Sequence, residues 1–304
     1  MKFIPTALHE LYKHRTLLRT LISREIRQRY RGTALGLLWS LISPVLQLAI
    51  YAFVFRSVFS VRWPISNPNH SNDLILQIDM ILPEEFVYAL NLFIGLMIFS
   101  LFSEVISRSP RHILDHPQFV RKVIFPLPIF AFVASFAAMF HALMYWVVLV
   151  TAIILSVALT TIFVGTNGLV ASNLNIMWDF LTHGAWLSLV VLSLAFPYLL
   201  GFSWLLSAIG TYFKDLSMVM PSIISFMMFL GPVFYPSSSL PEPYRIIVIL
   251  NPITVLIDQS RGVLLSGADL GLGLLFKYVV VGIVFASAAK WVFSRVQKGF
   301  PDFV

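Results

Sequence analysis

A basic amphipathic stretch runs directly into a long uncharged apolar one near the beginning of the chain. Four arginines lie within residues 24–31, and no Asp, Glu, Lys or Arg occurs between Gly32 and Arg56. A membrane-spanning helix needs about 20 mostly apolar residues, which the second stretch supplies. This junction is typical of a chain that meets a membrane from its cytoplasmic side, and it sets the orientation of the later segments.

The composition extends this conclusion to the whole chain. Of the 304 residues, 58% are hydrophobic and 12% are charged, and the mean hydropathy is +0.85. Soluble domains carry about 25% charged residues, so one globular core could not bury this much apolar surface. The net charge of +7 does not indicate nucleic-acid binding, because the basic residues lie between apolar segments. The absence of cysteine excludes disulfides, thiolate metal sites and cysteine nucleophiles.

Apolar segments of spanning length occur six times in the sequence. We therefore predict an all-α membrane protein with one six-span transmembrane domain at 33–304, preceded by a cytoplasmic segment at 1–32. The predicted spans cover residues 33–60, 86–107, 135–164, 184–210, 217–236 and 272–293.

Basic residues are distributed unevenly among the segments that connect these spans. With the amino terminus inside, sixteen of the 21 Lys and Arg residues fall on the inner side, whereas Asp73 and Glu84 lie outside. By the positive-inside rule, both termini of this multi-pass protein are expected in the cytoplasm.

Residues 6–31 have the pattern of an amphipathic helix that lies in the headgroup plane of the membrane. Leu18, Ile22, Ile26 and Tyr30 step by four along one face, and arginines occupy another. Such a helix presents its arginines to anionic lipid. The alternative is an ordinary basic flank that sets topology, and the sustained periodicity favours the interfacial helix.

Two connecting segments have unusual sequences. Residues 61–85 begin rich in turn-forming residues and then become apolar, which predicts a small ordered excursion outside the membrane. Residues 231–262 contain several prolines and an apolar run at 246–250 that is too short to span. Runs of that size suit re-entrant segments, which we predict between spans 5 and 6.

Motifs for nucleotide binding and metal-dependent catalysis do not occur in the sequence. It has no G-x-x-x-x-G-K-[ST] phosphate loop, no G-x-S-x-G elbow and no H-E-x-x-H pair. His112 and His116 have the i, i+4 spacing of metal ligands, but without a ligand cluster nearby a solvated basic loop is favoured. We therefore predict a non-enzymatic chain with no catalytic residue and no metal site.

Charged residues are scarce within the predicted spans. Spans 3 to 5 contain none, and Glu104 and Lys277 lie near span ends, where long side chains can reach the interface. An ion-coupled carrier is expected to need a titratable group within the membrane. Only His141 hints at one, and a hydrogen-bonded structural histidine is an equal alternative. If the chain transports actively, its energy is therefore expected from another subunit.

Aromatic residues near spans 1 and 5 allow two interpretations. Tyr51, Phe55 and Phe59 step by four along span 1. A second group comprises Phe226, Phe229 and Tyr235. Lipid contact and interfacial belts account for most aromatic residues of membrane proteins. The other interpretation is a pore lining for sugars, whose C–H faces can pack on aromatic rings.

Four motifs occur in the order found in one transporter family. They are residues 27–44 (R-Q-R-Y-R-G-T-A-L-G-L-L-W-S-L-I-S-P), 120–129, 212–216, and 250–255 together with 261–267. In combination they resemble the membrane permeases of ABC-type polysaccharide exporters, which move O-antigen, capsular polysaccharide or teichoic acid. The resemblance covers nearly the whole chain.

The resemblance implies a permease that exports a lipid-linked polysaccharide from the cytoplasm across the bacterial inner membrane. It implies a homodimer with two separate ABC ATPase subunits that bind ATP and Mg²⁺, so that this chain needs no cofactor. The loop at 61–85 is longer than the family pattern, and we expect it to cap the exit or to dock an envelope partner. Membrane lipid is an expected partner and nucleic acid is not.

Other functions stay open at this point. The same architecture could export teichoic acid, a small lipid or a drug. An ion-coupled secondary carrier and a membrane-bound glycosyltransferase are more remote alternatives.

The resemblance also implies roles for three groups of residues. Those expected to line the pore are Trp39, Tyr51, Phe55, Phe59, Phe226, Phe229 and Tyr235. Those expected to couple to the ATPases are Arg111, Arg121, Lys122, Tyr212, Lys214 and Asp215. Those expected at a lateral gate for the lipid headgroup are Arg24, Arg27, Arg29 and Arg31.

Overall fold

Helices make up all the regular secondary structure that the computed structural model describes. The described residues are 13–54, 84–120, 125–164, 177–178, 180–241, 248, 251–265 and 269–304. The helices are α1 (Arg15–Arg29), α2 (Trp39–Val54), α3 (Glu84–Arg108), α4 (Ile129–Val164), α5 (Ala185–Ser193), α6 (Phe196–Tyr212), α7 (Leu216–Leu230), α8 (Pro252–Leu265) and α9 (Leu272–Val296). Shorter helical turns connect several of them.

Within the described residues, five segments are long and apolar enough to cross a membrane. They are Gly36–Val54, Phe86–Arg111, Ile129–Ile162, Phe180–Tyr212 and Leu272–Asp302, and they overlap five of the six predicted spans. The predicted span at 217–236 corresponds to α7, which is apolar but has only 15 residues. It ends where Gly231 turns to an extended conformation before Pro232. The predicted loop at 61–85 lies almost wholly outside the described residues.

The fourth span is not one continuous helix. A π-helical turn at Phe180–Gly184 precedes α5, and a break at residues 194–195 separates α5 from α6. Pro197 lies in the first turn of α6, where its missing N–H costs nothing but where it stops α5 from continuing. The apolar composition predicted a span here, and the proline explains why two helices form it.

α3 lies at the centre of the helix bundle, in contact with α2, α4, α7 and α8. Its side chains Leu90, Phe93, Ile98 and Phe102 are fully buried. α2 and α7, in contrast, expose large apolar side chains to the surroundings. These two helices therefore lie at the edge of the bundle, where lipid or another protein can cover them.

α1 is amphipathic, as its sequence pattern predicts. Leu18 is buried against the beginning of α4, and Ile22 packs beside it in the same apolar cluster. Arg24 and Arg27 are exposed on the other face. Hydrophobic burial therefore fixes α1 on the bundle, and its location in the headgroup plane stays a prediction.

Candidate functional site

A cavity of about 290 Å³ opens where the end of α1 meets α2, α3 and α4. We call it the α1 chamber. Its lining residues are Arg29, Tyr30, Trp39, Ser40, Ser43, Pro44, Ser100, Leu101, Ser103, Glu104, Ser107, Arg108, Ala138, His141, Ala142 and Tyr145. The α3 members form adjacent pairs that recur every three or four residues, which places them on one helical face. This face gives the chamber its polar wall.

A charged cluster joins three helices at this chamber. Nη1 of Arg29 donates to Oε1 of Glu104 over 2.9 Å, and Nδ1 of His141 lies 2.8 Å from the same oxygen. The Glu104 side chain is only 13% exposed and that of His141 is 8% exposed. A carboxylate oxygen only accepts, so we place a proton on His141 Nδ1. Pairing offsets the cost of withdrawing the carboxylate from water.

A second ion pair repeats this contact one helical turn away. Nη1 of Arg108 donates to Oε1 of Glu25 over 2.7 Å. Glu25 and Arg29 are four residues apart on α1, and Glu104 and Arg108 are four residues apart on α3. The two helices run in opposite directions, so each glutamate faces the arginine of the other helix. All four charges are therefore compensated across the interface.

Hydroxyl groups cover much of the remaining chamber wall. Ser100, Ser103 and Ser107 each donate to a carbonyl of the preceding turn of α3, at 2.8, 3.1 and 3.1 Å. Their oxygens keep lone pairs that can accept hydrogen bonds from a ligand. Tyr145 donates to Oε1 of Gln47 over 3.0 Å, which ties α4 to α2 at the edge of the chamber.

The residues predicted to line a pore occupy different environments. Trp39 lines the chamber, whereas Tyr51 accepts a hydrogen bond from Gln47 over 3.1 Å. Phe226 and Phe229 project from α7 with about two thirds of each side chain exposed. Tyr235 donates to the carbonyl of Phe229 over 3.2 Å. Phe55 and Phe59 lie outside the described residues. The pore assignment therefore stays a prediction.

Two segments predicted to contact ATPase subunits lie side by side. Ser207 of α6 donates to the carbonyl of Ser109 over 2.9 Å. Gly210 packs closely on Pro110: a Cβ atom added to Gly210 would lie 2.6 Å from the Cα of Pro110. Arg111 therefore lies near the segment that follows α6 and carries the exposed Lys214 and Asp215.

The other predicted coupling residues differ in what the structure shows of them. The hydroxyl of Tyr212 donates to the carbonyl of Val296 over 2.8 Å, and its ring packs edge-on against Phe303. Tyr212 therefore connects the end of α6 to the carboxy-terminal segment. Arg121 and Lys122 lie outside the described residues, so their role stays a prediction.

The four arginines predicted at a lateral gate do not form one cluster. Arg29 lines the α1 chamber and is paired with Glu104. Arg24 lines a much smaller recess between α1 and the segment after α3, together with His112 and His116. Arg27 and Arg31 are exposed. A role for the four residues in lipid binding stays a prediction.

The prediction of a solvated histidine pair is wrong for His112. Its side chain is buried and packs against Phe130, and its Nδ1 has no partner among the described residues. Burial is the main cause that lowers the pKa of His112 to about 4, and the positive charges of the nearby His116 and Arg108 add to the effect. The described part of the chain contains no group of three or more His, Cys, Asp or Glu suited to a metal.

Sequence reasoning missed the structural role of Arg261, which lies in the stretch 231–262 between the predicted spans 5 and 6. Arg261 is 7% exposed and donates to the carbonyl of Asn91 through Nε at 3.1 Å and Nη2 at 3.0 Å. It also donates to the carbonyls of Pro232 and Val233, each over 2.7 Å. The available signal was a cation in a largely apolar helix, because such a cation must find partners when buried.

The apolar helices define the class: this is a multi-pass membrane protein. The chain belongs to the ABC-2 type transporter family, whose model matches residues 16–265. The match covers the α1 chamber, both segments beside α6 and Arg261. It confirms the family that the four sequence motifs resemble.

Known permeases of this kind are similar to the chain over most of its length. The O-antigen export system permease protein RfbA of Myxococcus xanthus is 23% identical, covering 96% of this chain and 97% of the relative. A Klebsiella pneumoniae protein of the same name is 22% identical over 94% of both. The polysialic acid transport protein KpsM of Escherichia coli is 24% identical over 81% of this chain and 80% of the relative.

Proposed function

We propose that this chain is the permease of an ATP-driven exporter that moves a lipid-linked polysaccharide from the cytoplasm across the bacterial inner membrane. The observation that carries the proposal is the near full-length similarity to O-antigen export permeases, which spans 96% of this chain in one case. The preferred substrates are O-antigen and capsular polysaccharide. Teichoic acid, a small lipid or a drug are alternatives within the same architecture.

The working unit in this proposal is a homodimer with the conduit between its copies. The exposed apolar faces of α2 and α7 support this arrangement, because a second copy could cover part of them. The charge-free sequences of both helices suit a conduit that must not hold any one sugar unit tightly. Lipid covers whatever the second copy leaves exposed.

Two separate ATPase subunits supply the energy in this proposal. The sequence contains no phosphate loop of its own. The packing of residues 109–111 against the end of α6 supports a shared docking face, because motion of one segment is passed directly to the other. In this proposal, the docking face and both termini lie in the cytoplasm.

The lipid anchor is proposed to approach along α1. Arg24, Arg27 and Arg31 are exposed there and can attract an anionic headgroup. Arg29 is already compensated by Glu104, so its part is to hold α1 against α3 rather than to supply free charge.

A gene deletion and a purified complex test the proposal. Deletion is expected to abolish surface polysaccharide and to leave the lipid-linked polymer inside the cell, and a plasmid copy is expected to restore export. The chain purified with its ATPase should hydrolyse ATP, and the chain alone should not. Unchanged surface polysaccharide in the deletion strain, or ATP hydrolysis by the chain alone, would contradict the proposal.

An ion-coupled carrier is a second candidate that one observation favours. Glu104 and His141 form a buried pair within two spanning segments, and coupled carriers use titratable groups in such places. This candidate predicts transport in proteoliposomes driven by a proton gradient without ATP. The exporter proposal predicts no transport under those conditions.

A further inference from the structure

The α1 chamber is a pocket within one protomer, and its size restricts what it can bind. Pockets for drug-sized ligands have volumes of about 300–1,000 Å³. At about 290 Å³, the chamber lies at the lower end of that range. It can therefore hold a single ring, but not a length of polymer or a second helix.

The charges around the chamber disfavour an anionic ligand. Arg29 is paired with Glu104 and Arg108 with Glu25, so neither guanidinium is an uncompensated cation. A phosphate group would have to displace a carboxylate from each arginine that it used, at the cost of a charge-assisted hydrogen bond. A neutral ligand can bind without breaking either pair.

The chamber wall offers hydrogen bonds of both kinds beside aromatic rings. The serine oxygens of α3 and the Glu104 carboxylate can accept, and the hydroxyl of Tyr30 and the indole N–H of Trp39 can donate. Trp39, Tyr30 and Tyr145 contribute aromatic surface. A sugar ring has matching chemistry, because its hydroxyls both donate and accept while its C–H faces are apolar.

His141 lines the chamber beside Glu104, with its Nδ1 2.8 Å from Oε1 of that residue. Its other ring nitrogen, Nε2, is buried and does not open to the chamber. The polar contacts available to a ligand are therefore those of the serine, Glu104, Tyr30 and Trp39 side chains.

We propose that the α1 chamber binds one uncharged pyranose ring of the exported glycan, beside the point where its lipid anchor meets α1. This assignment rests on the proposed function and deepens it, because the ring that fits the chamber would then determine which glycan is accepted. Binding must be weak, since a tightly held ring would stall export.

Saturation-transfer NMR on the purified permease in nanodiscs tests the assignment without the ATPase. The probes are the methyl glycosides of glucose, galactose, mannose and N-acetylglucosamine, with inorganic pyrophosphate as the anionic probe. Ser103→Leu fills the chamber, and Trp39→Ala removes aromatic surface without filling it. Ser193→Leu is the matched control, because Ser193 is exposed on α5 and also donates to a carbonyl of its own helix.

We expect at least one glycoside to bind with millimolar affinity to the wild type and to Ser193→Leu. Binding should be at least tenfold weaker in Ser103→Leu and in Trp39→Ala, and Trp39→Ala decides the outcome if Ser103→Leu does not fold. No glycoside binding, equal binding by all variants, or chamber-dependent binding of pyrophosphate alone would overturn the assignment. The NMR readout needs neither ATP nor export, so a negative result here leaves the exporter proposal standing. The exporter proposal fails separately, if the deletion strain keeps its surface polysaccharide.

Discussion

The space left by the missing side chain of Gly95 is occupied by the guanidinium of Arg261. A Cβ atom on Gly95 would lie 2.9 Å from Nη2 of Arg261 and 2.9 Å from the carbonyl oxygen of Val233. Arg261 can therefore reach across α3 to the carbonyl of Asn91 while it holds the turn after α7. One buried cation thus connects α8, α3 and the end of α7.

We predict that Gly95→Ala destabilises the protein. The added methyl must displace the guanidinium or the Val233 carbonyl, and overpacking of this kind costs about 1–3 kcal/mol. Gly273→Ala on α9 is the matched control, because a Cβ atom added there would meet no neighbouring atom within 4 Å. The control should be neutral or slightly stabilising, since alanine favours a helix by about 0.5–1 kcal/mol over glycine. Thermal unfolding in detergent measures both, and equal melting temperatures would contradict the prediction.

We predict strong energetic coupling between Arg29 and Glu104. Their hydrogen bond is charge-assisted and the carboxylate is largely withdrawn from water, so the coupling should be about 1–3 kcal/mol. A double-mutant cycle with Arg29→Gln and Glu104→Gln measures it through chemical or thermal unfolding.

The exposed pair Arg111–Asp115 is the control for that cycle. Its atoms are 3.5 Å apart and both side chains are more than half exposed. Exposed i, i+4 pairs contribute about 0.3–0.5 kcal/mol. If the two cycles gave the same coupling, the Arg29–Glu104 contact would be no more than a surface ion pair.

The sequence predicted the spanning segments well because length and apolar composition are local properties. It predicted the beginning of α9 at Leu272 and placed both ends of α3 within two residues of their observed positions. It failed where one or two residues interrupt an apolar run. Pro197 divides the fourth span, and Gly231 with Pro232 ends α7 early.

The α1 chamber could be predicted only in part. The i, i+4 spacings of Glu25 with Arg29 and of Glu104 with Arg108 are visible in the sequence. No local sequence pattern, however, predicts that α1 lies antiparallel beside α3. That pairing joins residues 75 and 83 positions apart, and it depends on the apolar contacts that fix α1 on α4.

We predict that Lys214→Glu weakens coupling to the ATPase without affecting membrane insertion. Lys214 is exposed in the segment that packs beside Arg111, and reversing a charge at the rim of an interface mainly slows association and changes its salt dependence. The measurements are ATP hydrolysis by the reconstituted complex, its salt dependence, and the amount of protein in the membrane. Lys13→Glu makes the same change at an exposed residue near the beginning of α1 and should leave hydrolysis unchanged. Wild-type hydrolysis and export in Lys214→Glu would argue against the docking face.

We predict that His112 makes the protein sensitive to acid. Its pKa is lowered to about 4 by burial, from an ordinary value of 6.5, so the folded protein keeps the ring neutral while the unfolded chain takes up a proton below pH 6.5. The stability contributed by the neutral ring is therefore complete above pH 6.5 and is lost as the pH falls from 6.5 towards 4. His112→Phe cannot take up that proton, so its melting temperature should fall less than that of the wild type over this interval. His14→Phe, at the partly exposed histidine before α1, is the control and should follow the wild type. Parallel pH profiles for wild type and His112→Phe would show that the buried ring does not carry the effect.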